Sequence, residues 1–146
     1  PVSEWAMRGS RGRLCRRASP RSRVRQMIRS LQEGNAVWYA SDQDYRGKGA
    51  VFAPFFGVPA STNGATARIA AISGAPVVPF FPLRTEEGYL LRILPPLAGY
   101  PSGNPEADAA RLNRLFEEEI RRAPEQYLWI HRRFKHRPPG AGPIYP

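Results

Sequence analysis

The first regular pattern of apolar and polar residues predicts a helix that begins near residue 23. Four apolar residues recur at i, i+3, i+4 and i+7, which places them on one face of that helix: Val24, Met27, Ile28 and Leu31. Ser22 can cap its start, and Gly34 stands where a left-handed residue commonly ends a helix. The apolar run at residues 36–40 (AVWYA) then predicts a buried strand directly after the helix.

A long loop is predicted from the end of this strand to Ser61, followed by a second helix. Thr62 or Asn63 can cap this helix, and Gly74 can close it. Its inward positions are expected to be Ala65, Ile69 and Ile72.

Two further strands are predicted at residues 77–81 and 89–94, joined by a turn at residues 86–88 (EEG). A loop rich in proline and glycine follows at residues 95–105. Because helices alternate with strands along the chain, the sequence predicts an α/β fold, a mostly buried sheet flanked by helices.

A third helix is predicted to start at Pro105, with Asn104 as its cap, and to end before Pro124. Its apolar face consists of Leu112, Leu115, Phe116 and Ile120. Charged side chains at helical neighbour spacings are expected to form ion pairs on its surface, namely Glu117 to Glu119 with Arg121 and Arg122.

With 146 residues, the chain is long enough for one domain with a modest core. We expect a basic, loosely ordered segment at residues 1–22, the main part of the domain at residues 23–138, and a flexible tail rich in proline and glycine at residues 139–146. There are no internal repeats.

Several broad classes of protein are excluded by simple features of the sequence. No apolar run approaches the roughly 20 residues that span a bilayer. Cys15 is the single cysteine, which rules out an internal disulfide framework and a cysteine-based zinc cluster. The first residue is proline and no secretory signal pattern follows it, so we expect a processed chain or a fragment.

The net charge narrows the choice of partners. The chain has 22 Lys and Arg against 12 Asp and Glu, a formal charge of +10, and all of the basic residues except Lys48 and Lys135 are arginine. Arginine binds phosphate and carboxylate groups through two parallel hydrogen bonds. An arginine-rich surface suits phosphorylated ligands, anionic lipid headgroups, acidic proteins or nucleic acid, although genomic base composition also raises arginine content.

The candidate chemistry begins where the apolar run at 36–40 stops. Asp42 and Asp44 lie two residues apart, so both project to the same side of an extended chain. Together they could orient a base, hold a cation or accept hydrogen bonds from a sugar, and they could equally cap nearby backbone amides. Ligand sites in α/β proteins gather at the carboxyl ends of strands, which favours a functional role.

Lys48, between two glycines, could reach a phosphate or lie in solvent, and no phosphate-binding glycine loop precedes it.

A second candidate region, residues 127–138 (YLWIHRRFKHRP), combines aromatic side chains with basic ones and holds both histidines of the chain. His131 could be a general base or a structural histidine, and Arg132 and Arg133 could contact an anion. The chain has no Gly-x-Ser-x-Gly elbow and no HExxH pair. Together the two regions suggest a surface for an anionic, partly apolar substrate.

Three ungapped blocks of this sequence, in the same order, closely resemble the C-terminal half of the lipid A biosynthesis acyltransferases, the lauroyl and myristoyl acyltransferase group. The blocks are AVWYASDQDYRGKGAVFAPFFG, TNGATARIAAISGAPVVPF and APEQYLWIHRRFKHRPPG. The resemblance covers about residues 11–145, and it is weak over the first 22.

This resemblance implies a glycerol-phosphate-acyltransferase-like α/β fold, present here in part, and an enzyme at the cytoplasmic face of the inner membrane. Such an enzyme moves a fatty acyl chain from acyl carrier protein to a Kdo-bearing lipid A precursor. The implied partners are acyl carrier protein, the lipid A precursor and the membrane surface. No cofactor is implied beyond the acyl carrier protein co-substrate, and nucleic acid is not expected.

The chain departs from the family pattern in two places. The family's catalytic His-x4-Asp/Glu motif is missing, because neither His131 nor His136 has an acidic residue at the fifth following position. Arg46 stands where the family usually has glycine after Asp-Gln-Asp-Tyr. This departure calls the loop geometry into question, since glycine tolerates positive φ and a bulky side chain disfavours it.

The resemblance therefore implies a part of an acyltransferase that is inactive on its own, with catalytic residues outside this sequence. The expected substrate-binding residues are Asp42, Asp44 and Lys48 near the acceptor, with His131, Arg132 and Arg133 contacting an anion or bracing the loop. The alternatives are a basic nucleic-acid-binding module, which would bind random oligonucleotides in a salt-dependent way, and a lipid- or carrier-binding remnant without catalysis.

Overall fold

The computed structural model describes residues 24–146. The chain divides into two compact units, Pro1–Val37 and Trp38–Pro146. The basic segment predicted at residues 1–22 and the cap predicted at Ser22 lie outside the described residues.

The first helix is confirmed. Helix α1 comprises Val24–Gln32, and Gly34 follows it with a φ of 83°. The Gly34 N–H donates to the Leu31 carbonyl at 3.0 Å, and the Asn35 N–H donates to the Ser30 carbonyl at 3.0 Å. The left-handed glycine therefore ends the helix in the predicted way, since it returns two N–H groups to the last-turn carbonyls.

The prediction of a buried strand at residues 36–40 is wrong. These residues form no strand, and Trp38 is 53% exposed. A strand needs a neighbour to receive its backbone hydrogen bonds. Within residues 24–146 all strands pair as two separate hairpins, and neither includes this run.

The first hairpin lies where a loop to Ser61 was predicted, so that prediction is also wrong. Strands β1 (Ala50–Phe55) and β2 (Val58–Asn63) pair antiparallel, with Pro54 opposite Pro59. Both residues of the two-residue turn, Phe56 and Gly57, have positive φ, 49° and 76°. That geometry matches the twist of paired strands. The hairpin could not be recognised from the sequence, because proline is unusual within paired strands and phenylalanine is unusual at a turn position with positive φ.

Helix α2 comprises Ala65–Ser73, where the sequence predicts a helix, but its N-cap is Gly64 and not Thr62 or Asn63. The Asn63 side-chain oxygen accepts a hydrogen bond from the Ala65 N–H at 2.9 Å, and Gly74 ends the helix with a φ of 72°. Ile69 is buried, but Ile72 is 57% exposed, which corrects its expected inward position.

The second hairpin consists of β3 (Phe80–Thr85) and β4 (Gly88–Ile93) and turns at Glu86–Glu87 as expected. Strand β3 starts three residues later than predicted. Most side chains of both strands are partly or well exposed. The structure is thus α/β, with two small antiparallel sheets in place of the predicted single, mostly buried sheet.

Helix α3 comprises Pro105–Arg122, and the Asn104 side chain accepts from the Ala107 N–H at 3.0 Å. The predicted ion pairs are confirmed for Arg121 with Glu117 (3.2 Å) and for Arg122 with Glu119 (3.4 Å). Residues of α3 and of the first hairpin share a core that consists of Phe55, Ala60 and Ile120, with Phe56, Phe116, Tyr127 and Phe134 packed around it.

Two short 3-10 helices, Pro124–Gln126 and Trp129–His131, follow α3. In the last residues, the Tyr145 hydroxyl accepts a hydrogen bond from the Phe134 N–H at 3.2 Å. The flexibility expected for residues 139–146 stays a prediction. Among residues 24–146, no helix is both long and apolar enough to cross a membrane.

Candidate functional site

The two regions singled out in the sequence meet in the structure. One is the 42–45 loop, residues 42–45, and the other is the 131–136 segment, residues 131–136. The Gln43 amide nitrogen lies 3.5 Å from His131 Nε2, and Asp44 Oδ2 lies 2.5 Å from His136 Nδ1. Asp44 Oδ1 also accepts from the His136 backbone N–H at 3.3 Å. Side chains about ninety residues apart in sequence therefore form one cluster.

The Asp44–His136 pair is buried on one side and open on the other. The Asp44 side chain is 5% exposed, whereas the His136 side chain is 37% exposed. Because Nδ1 donates to the carboxylate, Asp44 fixes the ring and leaves Nε2 as the ring nitrogen available to a ligand. Within the described part of the chain, Nε2 has no hydrogen-bond partner. The pair can hold a polar group of a substrate or exchange a proton with it.

Arg133 is buried and directs its guanidinium into the protein. Its two terminal nitrogens donate to the Ser61 carbonyl (2.6 Å), to Thr62 Oγ1 (2.8 Å) and to Asn113 Oδ1 (3.4 Å). Its guanidinium also lies 5.2 Å from the centre of the Phe55 ring. Of the two roles that the sequence left open for Arg133, these contacts match bracing of the loop and strand.

The buried guanidinium of Arg133 interacts electrostatically with both acidic residues of the 42–45 loop. Burial lowers the pKa of Arg133, while Tyr127, Asp44 and Asp42 act in the opposite direction. Burial, and secondly the negative charge of Asp42, raises the pKa of Tyr127 to about 12. Asp42 and Asp44 thus supply the charge that compensates a buried guanidinium.

The other two predicted basic residues lie elsewhere. Arg132 is exposed with a φ of 49°, and its guanidinium sits 5.7 Å from the centre of the Tyr145 ring. Lys48 is exposed in the turn before β1 and contacts no residue of the 42–45 loop through a hydrogen bond or ion pair in the described structure. The structure therefore does not bring Lys48 into the cluster, and its binding role stays a prediction.

Arg46 fits its position without unusual backbone geometry. Phe56 and Arg132 are the non-glycine residues with positive φ among residues 24–146, so Arg46 needs none of the freedom of glycine. The close approach occurs one residue later, because a Cβ on Gly47 would lie 2.5 Å from the Tyr45 hydroxyl. Arg46 thus has an ordinary backbone conformation, and the residue whose missing side chain permits the close approach is Gly47.

Three residues of the cluster were not predicted as site residues: His136, Asn113 and Tyr127. Asn113 is fully buried, and its amide nitrogen donates to the Pro54 carbonyl at 2.9 Å and to Thr62 Oγ1 at 3.2 Å. Asn113 could have been recognised as a buried polar residue, because it follows Leu112 on the apolar face of α3. No pattern in the sequence indicated that Asp44 would be the partner of His136.

Comparison with known proteins adds independent information. Residues 1–136 match the profile of the family described as bacterial lipid A biosynthesis acyltransferase. The chain is 45% identical, over 148 aligned positions, to the lipid A biosynthesis palmitoleoyltransferase of Escherichia coli K12, covering 99% of this chain and 48% of that protein.

Two further relatives are also lipid A biosynthesis acyltransferases. The lipid A biosynthesis lauroyltransferase of the same strain is 41% identical, with 99% of this chain and 48% of that protein covered. A lipid A biosynthesis acyltransferase of Haemophilus influenzae is 37% identical, with 94% and 46% covered. The chain thus spans about half the length of the relatives that it matches.

Proposed function

The chain belongs to the bacterial lipid A biosynthesis acyltransferase family, and we propose that it forms the C-terminal part of an enzyme that acylates a Kdo-bearing lipid A precursor. Acyl carrier protein carries the acyl chain, and no other cofactor is required in this proposal. The observation that carries the proposal is the contact between the 42–45 loop and the 131–136 segment.

In this proposal the cluster holds the acceptor. Carboxylates, an amide and an imidazole side by side can hydrogen-bond the hydroxyls of a sugar, and Asp44 keeps the His136 ring in one orientation. Arg133 and Asn113 brace the strand and helix behind the loop and do not touch substrate.

The chemical step is assigned to residues outside this sequence, since neither histidine here has an acid at the fifth following position. A histidine of the family's His-x4-acid motif would remove the proton of the acceptor hydroxyl. The hydroxyl oxygen would then attack the thioester carbonyl, and the acyl carrier protein thiol would leave with the proton. We therefore expect the 146-residue chain alone to be inactive.

The net charge supports the proposed partners. Acyl carrier protein is acidic and lipid A precursors carry phosphates, so a formal charge of +10 would speed encounters with both.

A contact with the cytoplasmic surface of the inner membrane is part of the proposal, and a small apolar tip supports it. Leu128, Trp129 and Ile130 are exposed next to Arg132, with Ile130 83% exposed. The Trp129 indole N–H donates to the Pro124 carbonyl at 2.8 Å, so the ring can leave water without losing that hydrogen bond. Apolar side chains beside arginine suit a headgroup boundary.

A chimeric enzyme tests the proposed function. This chain would replace the matching part of the Escherichia coli palmitoleoyltransferase, and transfer from acyl-acyl carrier protein to a Kdo-bearing lipid A precursor would be measured. We expect transfer by the chimera and none by the 146-residue chain alone. A folded chimera without transfer, or transfer by the isolated chain, would contradict the proposal.

A further inference from the structure

The β3–β4 hairpin has one face that packs inside this chain. Phe81 of β3 contacts Phe116 of α3 with ring centres 6.1 Å apart. Arg92, which lies opposite Phe81 in the hairpin, pairs with Glu119 of α3 at 3.5 Å. Directly paired residues share a face, and faces alternate along a strand. Phe81 and Arg92 therefore mark the face that is turned toward α3.

The opposite face of the hairpin is apolar and uncovered. It is formed by three cross-strand pairs, Phe80 with Ile93, Pro82 with Leu91, and Arg84 with Tyr89. We call these six residues the outer hairpin face. Four large side chains of this face are between 40% and 83% exposed, namely Phe80, Tyr89, Leu91 and Ile93. Exposed apolar groups that adjoin one another in this way commonly mark a surface that binds another protein element.

The hairpin also lacks the neighbours that a small sheet needs. Two strands alone are marginal in water, and a third strand or a packed layer normally stabilises them. The Gln126 side chain occupies the free edge of β3 through hydrogen bonds with the Arg84 N–H (2.8 Å) and carbonyl (2.9 Å). Among residues 24–146 no strand lies beside the free edge of β4.

We propose that the outer hairpin face is the surface on which the remaining half of the acyltransferase domain packs. The relatives contain about as much sequence again as this chain matches, which supplies an occupant of sufficient size. Arg84 is the sole charged residue of the face, which suits an apolar protein layer better than an acidic protein or a headgroup surface. This inference rests on the proposed function, because it takes the chain to be one part of that domain.

The test uses the half of the Escherichia coli palmitoleoyltransferase that this chain does not match, produced as a separate polypeptide in detergent. Binding to the 146-residue chain and hydrogen exchange of the amides at residues 80–93 would be measured. We expect slower exchange there on binding. Leu91→Asp and Ile93→Asp should each weaken binding about tenfold or more, because each removes an apolar contact and buries a charge. Ile144→Asp, at an exposed position in the last residues, should leave binding within about twofold.

Three outcomes would overturn the inference. The first is that Leu91→Asp does not weaken binding to the separate enzyme half, whether both chains bind it equally or neither binds it. The second is self-association of the chain that Leu91→Asp abolishes, which assigns the face to a second copy. The third is protection of residues 80–93 by anionic lipid vesicles alone. Acyl transfer is measured separately, so binding through this face without transfer would contradict the proposed function and leave the inference standing.

Discussion

The guanidinium of Arg133 shows that a basic residue beside the proposed acceptor site can stabilise the fold. Its three hydrogen bonds join β2 to α3, and two acidic residues of the 42–45 loop compensate its charge. Burial of a charge is tolerated only with such partners. At this scale, sequence reading identified the 42–45 loop and the 131–136 segment correctly as neighbours. It could not assign Asp44 to His136 or Arg133 to the interior, because those pairings depend on tertiary packing.

Replacement of this buried cation should therefore destabilise the fold. We expect Arg133→Met to lower the free energy of unfolding by about 3 kcal/mol, because three buried hydrogen bonds are lost and the Ser61 carbonyl and Asn113 Oδ1 lose the guanidinium as their donor. Urea unfolding of the 146-residue chain measures the effect. Arg132→Met, at the exposed neighbouring position, is the matched control and should change stability by less than about 1 kcal/mol. Equal effects of the two substitutions would show that Arg133 does not brace the fold.

Elements defined by local signals were predicted well, and elements defined by distant partners were not. Helix α3 has a cap at Asn104, proline at its first position and a regular apolar face, so its bounds could be predicted. The run at residues 36–40 has strand-forming residues but no partner strand, so the same kind of reasoning failed there. The Phe56–Gly57 turn carries no usual turn pair, and the first hairpin was missed for that reason.

The edge of β3 gives a prediction at the scale of one element. Gln126 accepts from the Arg84 N–H and donates to the Arg84 carbonyl, as a neighbouring strand would. We expect Gln126→Ala to raise the exchange rate of the Arg84 amide about fivefold, because one hydrogen bond contributes about 1 kcal/mol. Gln126→Glu keeps the acceptor and should leave that rate closer to the original value. Unchanged exchange in the alanine variant would mean that Gln126 does not close the edge.

At the scale of the whole molecule, the chain belongs to the lipid A acyltransferase family and carries a formal charge of +10, while its second hairpin leaves apolar side chains exposed. These features belong to a chain that spans about half the length of its relatives. Sequence alone predicted the α/β class and the family. The single buried sheet was a wrong prediction, because within residues 24–146 the strands find partners only inside two hairpins.

The apolar tip gives the corresponding prediction for the membrane. Ile130→Asp should weaken binding of the chain to vesicles with anionic lipid about fivefold or more, since an exposed apolar contact is replaced by a charge that repels the headgroups. Sedimentation with vesicles measures this, and Ile144→Asp serves as the control with the same change of charge. Equal weakening by both variants would attribute binding to net charge and not to the tip.

The central claim is that Asp44 of the 42–45 loop and His136 of the 131–136 segment act together in one acceptor site, and kinetics of the chimeric enzyme test it most directly. We would measure kcat/KM for the lipid A precursor in Asp44→Asn, His136→Ala and the double variant, with Lys135→Ala as an exposed control. Each single change should lower kcat/KM about tenfold, and the double variant should lose little more than either, because the two side chains act as a pair. Losses that multiply in the double variant, or single variants that match the unsubstituted chimera, would contradict the claim.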